Sequence, residues 1–191
     1  MTLFPDKPQK GRLIVISGPS GAGKGTVITH LVGDFHLSVS ATTRAARPAE
    51  RNGEDYLFVS DEEFHQMIDD GGFLEWANYN QDLYGTPRAP VLEAIDAGRD
   101  VIAEIEVQGA AQIRAGHPDA VLVFISPPSI GVLEKRLVGR GDTTAEDIAR
   151  RMDIAAQEIE LAPTLFDHIV VNDDLERASD ELSSILWPEV P

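Results

Sequence analysis

An apolar run, LIVIS at 13–17, leads directly into GPSGAGKGT at 18–26. A buried strand, a glycine-rich turn and then helix-forming residues form the arrangement in which backbone N–H groups and one lysine cradle a phosphate. Gly18, Gly23 and Lys24 are the fixed points of the pattern; Pro19, Ser20, Gly21, Ala22, Gly25 and Thr26 complete the loop. The residue after the lysine is Gly25, where a Ser or Thr hydroxyl usually reaches magnesium. The backbone cradle does not need that hydroxyl, so the stretch reads as a nucleotide phosphate site. Lys24 is expected to face solvent when no nucleotide is bound. A glycine-rich strand–helix turn without a ligand is the plainer alternative.

The loop belongs to an alternating chain. DVIAEIE (100–106), AVLVFIS (120–126) and HIVVN (168–172) are short runs rich in β-branched residues. Helical segments at about 24–32, 88–97, 107–116, 129–139, 145–160 and 175–186 separate them. Asp174 is placed to cap the last, and Thr144 with Asp147 forms a candidate capping box. Such alternation implies a parallel sheet covered on both faces. Residues 39–87 break the rhythm. There DYLFV (55–59), FLEWANY (73–79) and LYGTP (83–87) are strand candidates, a helix at about 61–70 follows Ser60, and NQD (80–82) is a hairpin turn. This block reads as antiparallel strand inserted into an α/β chain.

A chain of 191 residues with no cysteine is expected to be one domain without disulfides or thiolate metal sites. It has no apolar run long enough to span a membrane and no apolar stretch of signal-peptide type near its start, so a cytoplasmic location is expected. The net charge of −16 argues against nucleic acid or anionic membrane as a partner. The cations are nonetheless concentrated. Arg44, Arg47 and Arg51 share one window, and Lys135, Arg136, Arg140, Arg150 and Arg151 share another; together they are half of the 16 Lys and Arg residues. Arginine forks suit bidentate phosphate contacts, so the pattern points to a small anion held locally.

The stretches SGPSGAGKGT, SVSATTRAARPAERNGEDYLFVS, FLEWANYNQDLYGTP, EIEVQG, RLVGRG and IVVNDD resemble the guanylate kinase family, in order and at the family's spacing. The resemblance covers about residues 11–187. It implies a P-loop three-layer α/β core with a parallel sheet (11–38, 97–128 and 153–190), an inserted mixed β subdomain that binds GMP (39–96) and a helical lid (129–152). Residues 1–10 are expected to be a flexible tail.

The resemblance also implies roles. Arg44, Arg47, Tyr56 and Tyr84 match the positions that hold the GMP phosphate. Glu75 matches the acid that accepts from guanine N1–H and the 2-amino group, a pair of donors that adenine lacks, and Ser40 and Thr86 match hydroxyls around the base. Taken on pattern alone, an isolated acid in FLEWA would lie on a strand's wet face. Glu106 stands where the family usually has Asp; whether Glu104 or Glu106 meets the base edge or a magnesium-bound water stays open. Arg136, Arg140 and Arg151 match lid arginines that close over the migrating phosphoryl group, and Asn172 matches a position near the ATP base or ribose. RGDTT departs from the family's usual acid placement in that loop without removing an arginine.

The implied activity is ATP-dependent phosphorylation of GMP, and of dGMP, to the diphosphate, with Mg²⁺ bridging ATP phosphates and no direct protein ligand to the metal. Lys24, Arg44, Arg136, Arg140 and Arg151 would stabilise the transferring charge. A kinase for another nucleotide or a phosphorylated sugar is the nearest alternative within enzymes. An interaction module that keeps the fold and binds protein ligands is the alternative from another class. Glu75 with Ser40 and Thr86 disfavours the first, and Lys24 with the arginine set disfavours the second.

Overall fold

The computed structural model describes residues 10–79, 81–139 and 144–188. Arg140, Asn80 of the expected hairpin turn, and nearly all of the expected N-terminal tail lie outside the described residues. Nine strands and seven helices are described, in the order β1 Leu13–Ser17, α1 Lys24–Thr29, β2 Phe35–Leu37, β3 Ala41–Thr42, β4 Leu57–Phe58, α2 Asp61–Asp69, β5 Phe73–Tyr79, β6 Asp82–Pro87, α3 Arg88–Asp96, β7 Asp100–Glu104, α4 Val107–Gly116, β8 Val121–Ser126, α5 Ile130–Val138, α6 Ala145–Leu165, β9 His168–Val171 and α7 Leu175–Leu186.

The expected α/β fold is what forms. Five parallel strands make one sheet, in the order β2-β7-β1-β8-β9. A central parallel strand has both faces covered and needs an unbroken apolar run; every residue of β1 is buried accordingly. The second sheet has the order β4-β3-β6-β5. It is mixed rather than wholly antiparallel, because β4 runs parallel to β3 while β6 is antiparallel to both β3 and β5.

The chain forms two compact units. One holds Asp34–Ala103 and Ala111–Ala120 with the chain up to Ile14; the other holds Val15–Gly33 and Glu104–Ala110 with the chain from Val121 onward. The first contains the mixed sheet. There Ala41, Phe64 and Phe73 form a core, with the Phe64 and Phe73 rings stacked 4.5 Å apart. Phe64 reaches it because α2 is started by a capping box: Glu63 N–H donates to Ser60 Oγ, and Ser60 N–H donates to Glu63 Oε2. In the second unit Leu133 and Leu137 of α5 pack on Ala155 of α6. Three of its helices, α5, α6 and α7, start on side-chain caps as well. Asp147 N–H donates to Thr144 Oγ1 at 3.2 Å, and Arg177 N–H donates to Asp174 Oδ1 at 3.0 Å.

Several elements differ from expectation. β2 and β3 have three and two residues, too few to show a period. They exist because β7 and β6 offer backbone partners in register. α6 runs past Pro163 to Leu165; its last turn carries the buried Ala162, and the following Phe166 sets its ring 5.2 Å from Phe124. DYLFV contributes only Leu57–Phe58 to a strand. No helix among the described residues is long and apolar enough to cross a membrane.

Candidate active site

In the second unit the loop after β1 is built on glycines that other residues could not replace. Gly18 has φ 144°, and a Cβ there would lie 2.2 Å from the Ile125 carbonyl oxygen. Gly23 has φ 91°, and a Cβ there would lie 2.5 Å from Asn172 Nδ2. These close approaches let distant residues grip the loop backbone. Asn172 is buried and its Nδ2 donates to Ala22 O at 2.7 Å. Arg136 of α5 donates to the same oxygen at 3.2 Å, and to Asn172 O at 3.0 Å. Both side chains therefore touch the loop itself, a contact that spacing in the chain does not reveal.

Lys24 does not face solvent. It is 8 % exposed, and its Nζ donates to Gly18 O at 2.6 Å. The loop curls around its own lysine, so the ammonium finds a carbonyl partner within the loop. Pro19 O accepts from Ala22 N–H within the same turn.

Three carboxylates of this unit are linked electrostatically. Glu104 ends β7 and Glu106 follows it. The Glu104 carboxyl is raised, first because neighbouring chain displaces its water and then because Glu106 repels it, while Lys24 opposes the rise. Glu158 of α6 was not singled out from the sequence. Its Oε2 is buried without a hydrogen-bond partner, and its carboxyl is pushed up to about 7 by burial and by Glu106, again against Lys24. Arg151, two turns earlier on α6, has a buried Nε without a hydrogen-bond partner. Among the described residues no group of three or more His, Asp or Glu is arranged to hold a metal ion.

The first unit gathers the other set. Register pairs Glu75 with Thr86, Ala77 with Tyr84, and Thr42 with Tyr84, so Glu75, Thr86, Tyr84 and Thr42 share one face of the mixed sheet. A bulge between Phe73 and Glu75 makes this possible. Regular alternation would put both on one face. The extra residue instead sends Phe73 into the core and Glu75 to the opposite side. Glu75 is 5 % exposed, and Thr86 Oγ1 donates to its Oε1 at 2.6 Å. The acid is thus buried, not on a wet face. Ser40, just before β3, is half-buried, and its carbonyl accepts from Leu57 N–H.

Arg44 packs over the Tyr56 ring at 5.4 Å and the Phe58 ring at 5.7 Å, and the Tyr56 and Tyr84 rings meet edge-on at 6.0 Å. Its Nη1 and Nη2 donate to the two oxygens of Glu50, a residue the sequence reading passed over. Arg47 donates its backbone N–H to the same carboxylate, while its side chain stays exposed. Hydrogen bonding to Glu50, then to Tyr84, raises the Arg44 pKa against the cost of burial. The arrangement offers cationic and phenolic donors beside a buried carboxylate, which suits a ligand with both a phosphate and a donor-bearing base edge.

A family model described as guanylate kinase matches residues 10–189. The chain is 50% identical over 187 residues to a guanylate kinase of Thermosynechococcus vestitus, covering 96% of this chain and 97% of that one. It is 47% identical over 186 residues to a guanylate kinase of Shouchella clausii, covering 96% and 90%. Among solved structures, the crystal structure of guanylate kinase from Anaplasma phagocytophilum matches with a TM-score of 0.73 at 33% identity, covering 93% of this chain and 85% of that one.

Proposed function

This chain belongs to the guanylate kinase family, and we infer that it transfers the γ-phosphoryl group of ATP to GMP, and to dGMP, giving ADP and the nucleoside diphosphate. The observation that carries the base assignment is the buried Glu75 carboxylate bonded to Thr86. A buried carboxylate needs partners that donate. Guanine presents N1–H and its 2-amino group side by side, whereas adenine sets an acceptor, N1, against the carboxylate. Ser40 and Thr86 supply hydroxyls around the base. Arg44, Arg47, Tyr56 and Tyr84 take the GMP phosphate.

The loop from Gly18 to Thr26 takes the ATP phosphates, with Asn172 on that nucleotide's side. Lys24 exchanges the Gly18 carbonyl for a phosphate oxygen, following the charge as it moves. Arg136, Arg140 and Arg151, in the segment 129–152 read as a lid, stabilise the same charge. Phosphoryl transfer depends mainly on positioning and charge stabilisation, so no general base is assigned. Water has to be kept from the migrating phosphoryl group, since otherwise ATP is hydrolysed.

The residues present fit Mg²⁺ held through the nucleotide. A Cβ at Gly25 would lie 3.5 Å from Glu104 Oε2, so the position that lacks a hydroxyl faces a carboxylate, and Glu106 repels the Glu104 carboxylate. Thr26, Glu104 and Glu106 would hold the ion through water, and Glu106 is the alternative contact for the guanine edge. The ion would supply screening of the phosphate charges.

A coupled assay with ATP and each of GMP, dGMP, AMP, CMP, UMP and dTMP tests the reading. Turnover confined to GMP and dGMP is expected. Preference for another base, or no turnover with any monophosphate, overturns it.

A further inference from the structure

β5 is an edge strand of the mixed sheet, so one side of its backbone has no strand beside it. At Trp76 that side is filled by Gln112 of α4. Trp76 N–H donates to Gln112 Oε1 at 3.3 Å, and Gln112 Nε2 donates to Trp76 O at 2.7 Å. Both residues lie in the unit that holds the mixed sheet. In an extended strand the N–H and C=O of one residue point to the same side. A carboxamide offers one acceptor and one donor, the same pair that a neighbouring strand would present. Gln112 serves as a one-residue strand partner.

Its position along β5 matters. Trp76 follows Glu75, and Glu75 follows the bulge. A bulge interrupts the ladder and loosens the local register. Beyond it, β6 holds β5 from one side only. The two-point contact from Gln112 pins the other side one residue past the acid, fixing both the twist of the backbone and its displacement along the strand. We propose that Gln112 is a positioning residue for guanine recognition, aiming the Glu75 carboxylate by holding the β5 backbone at Trp76. The proposal rests on the reading of Glu75 as the guanine acceptor.

The test uses the full chain with Gln112→Met, Gln112→Glu and, as reference, Glu75→Gln. Gln112→Met keeps the length and removes both hydrogen bonds. Gln112→Glu still accepts from Trp76 N–H but sets a carboxylate against the Trp76 carbonyl. The KM for GMP is expected to rise about fivefold in Gln112→Met, the scale of one net hydrogen bond, and further in Gln112→Glu. The KM for ATP stays within about twofold of wild type in both, and hydrogen exchange at the Trp76 amide accelerates. A role confined to protecting the strand edge would lower Tm and leave the KM for GMP in place, or raise both KM values together; either result overturns the proposal. If Glu75→Gln loses its preference for GMP over AMP while both Gln112 variants keep the wild-type KM for GMP, the positioning role alone fails. If Glu75→Gln keeps that preference, the guanine reading fails and the positioning role with it.

Discussion

The Arg44 guanidinium grips both oxygens of Glu50, Nη1 to Oε2 at 3.0 Å and Nη2 to Oε1 at 2.9 Å, with the two side chains only 17% and 16% exposed. Nη1 also donates to Ala45 O, so this edge of the fork is committed to the protein. A phosphate must use the donors that remain, and Glu50 decides where they point. Glu50→Gln is expected to raise the KM for GMP about tenfold and leave that for ATP unchanged. Removing the acid also removes a repulsion on the phosphate that solvent screens, but the charge-assisted, two-point pair that aims the guanidinium goes with it, so orientation wins. Tighter GMP binding in the variant would mean that Glu50 competes with the phosphate.

Lys24→Met is expected to lower kcat by about 10²–10³, the scale of one lost donor to developing charge. It also leaves Gly18 O without the Lys24 bond. A buried acceptor stripped of its partner costs about 1–3 kcal/mol. Circular dichroism should therefore show a folded protein with a lowered Tm. Full activity in Lys24→Met would remove the ATP phosphates from this loop.

Gly23 and Gly25 separate backbone need from side-chain chemistry. Gly23→Ala places a Cβ at φ 91° and against Asn172 Nδ2, which displaces Asn172 from Ala22 O. A loss of about 1–2 kcal/mol from the backbone conformation alone should accompany a raised KM for ATP. Gly25→Ser meets only Glu104 Oε2, at ordinary contact distance, and should keep near wild-type turnover. Urea unfolding and ATP titrations on the two variants provide the comparison; equal effects would refute the distinction.

Glu158 makes stability depend on pH. Its carboxyl rises from an ordinary 4.5 to about 7, first through burial. Because the folded pKa exceeds the unfolded one, the folded state binds the extra proton between these values. The associated stability is complete below about 4.5 and is lost as pH rises through 7. Between pH 5 and 8 the wild type should lose about 2–3 kcal/mol relative to Glu158→Gln. Urea unfolding of both proteins at pH 5, 6, 7 and 8 measures this. Parallel pH profiles would show that Glu158 does not titrate in this range.

Patterns within a few residues are legible in the sequence itself. LIVIS is a fully buried strand, FLEWANY is β5 end to end, and Ser60 and Asp174 cap the helices that follow them. In each case the physics is local, since side-chain period, capping oxygens and turn glycines act over one or two turns of chain. The motif residues also sort into two sets, Arg44, Tyr56, Glu75, Tyr84 and Thr86 on one unit and the glycine loop with Asn172 and Arg136 on the other. Tertiary structure decided what local pattern does not encode. β2 and β3 gain their hydrogen bonds from strands tens of residues away, and so show no period of their own. The burial of Glu75 depends on a bulge that shifts its pairing with β6, although FLEWA alone reads as simple alternation. Lys24 is buried by a loop that closes on its own carbonyl. Asn172 and Arg136 meet Ala22 across 150 and 114 residues, and Gln112 meets Trp76 across 36. Such contacts exist only once the packed elements have brought the chain together, because a polar side chain takes its partner from whatever backbone the fold presents to it.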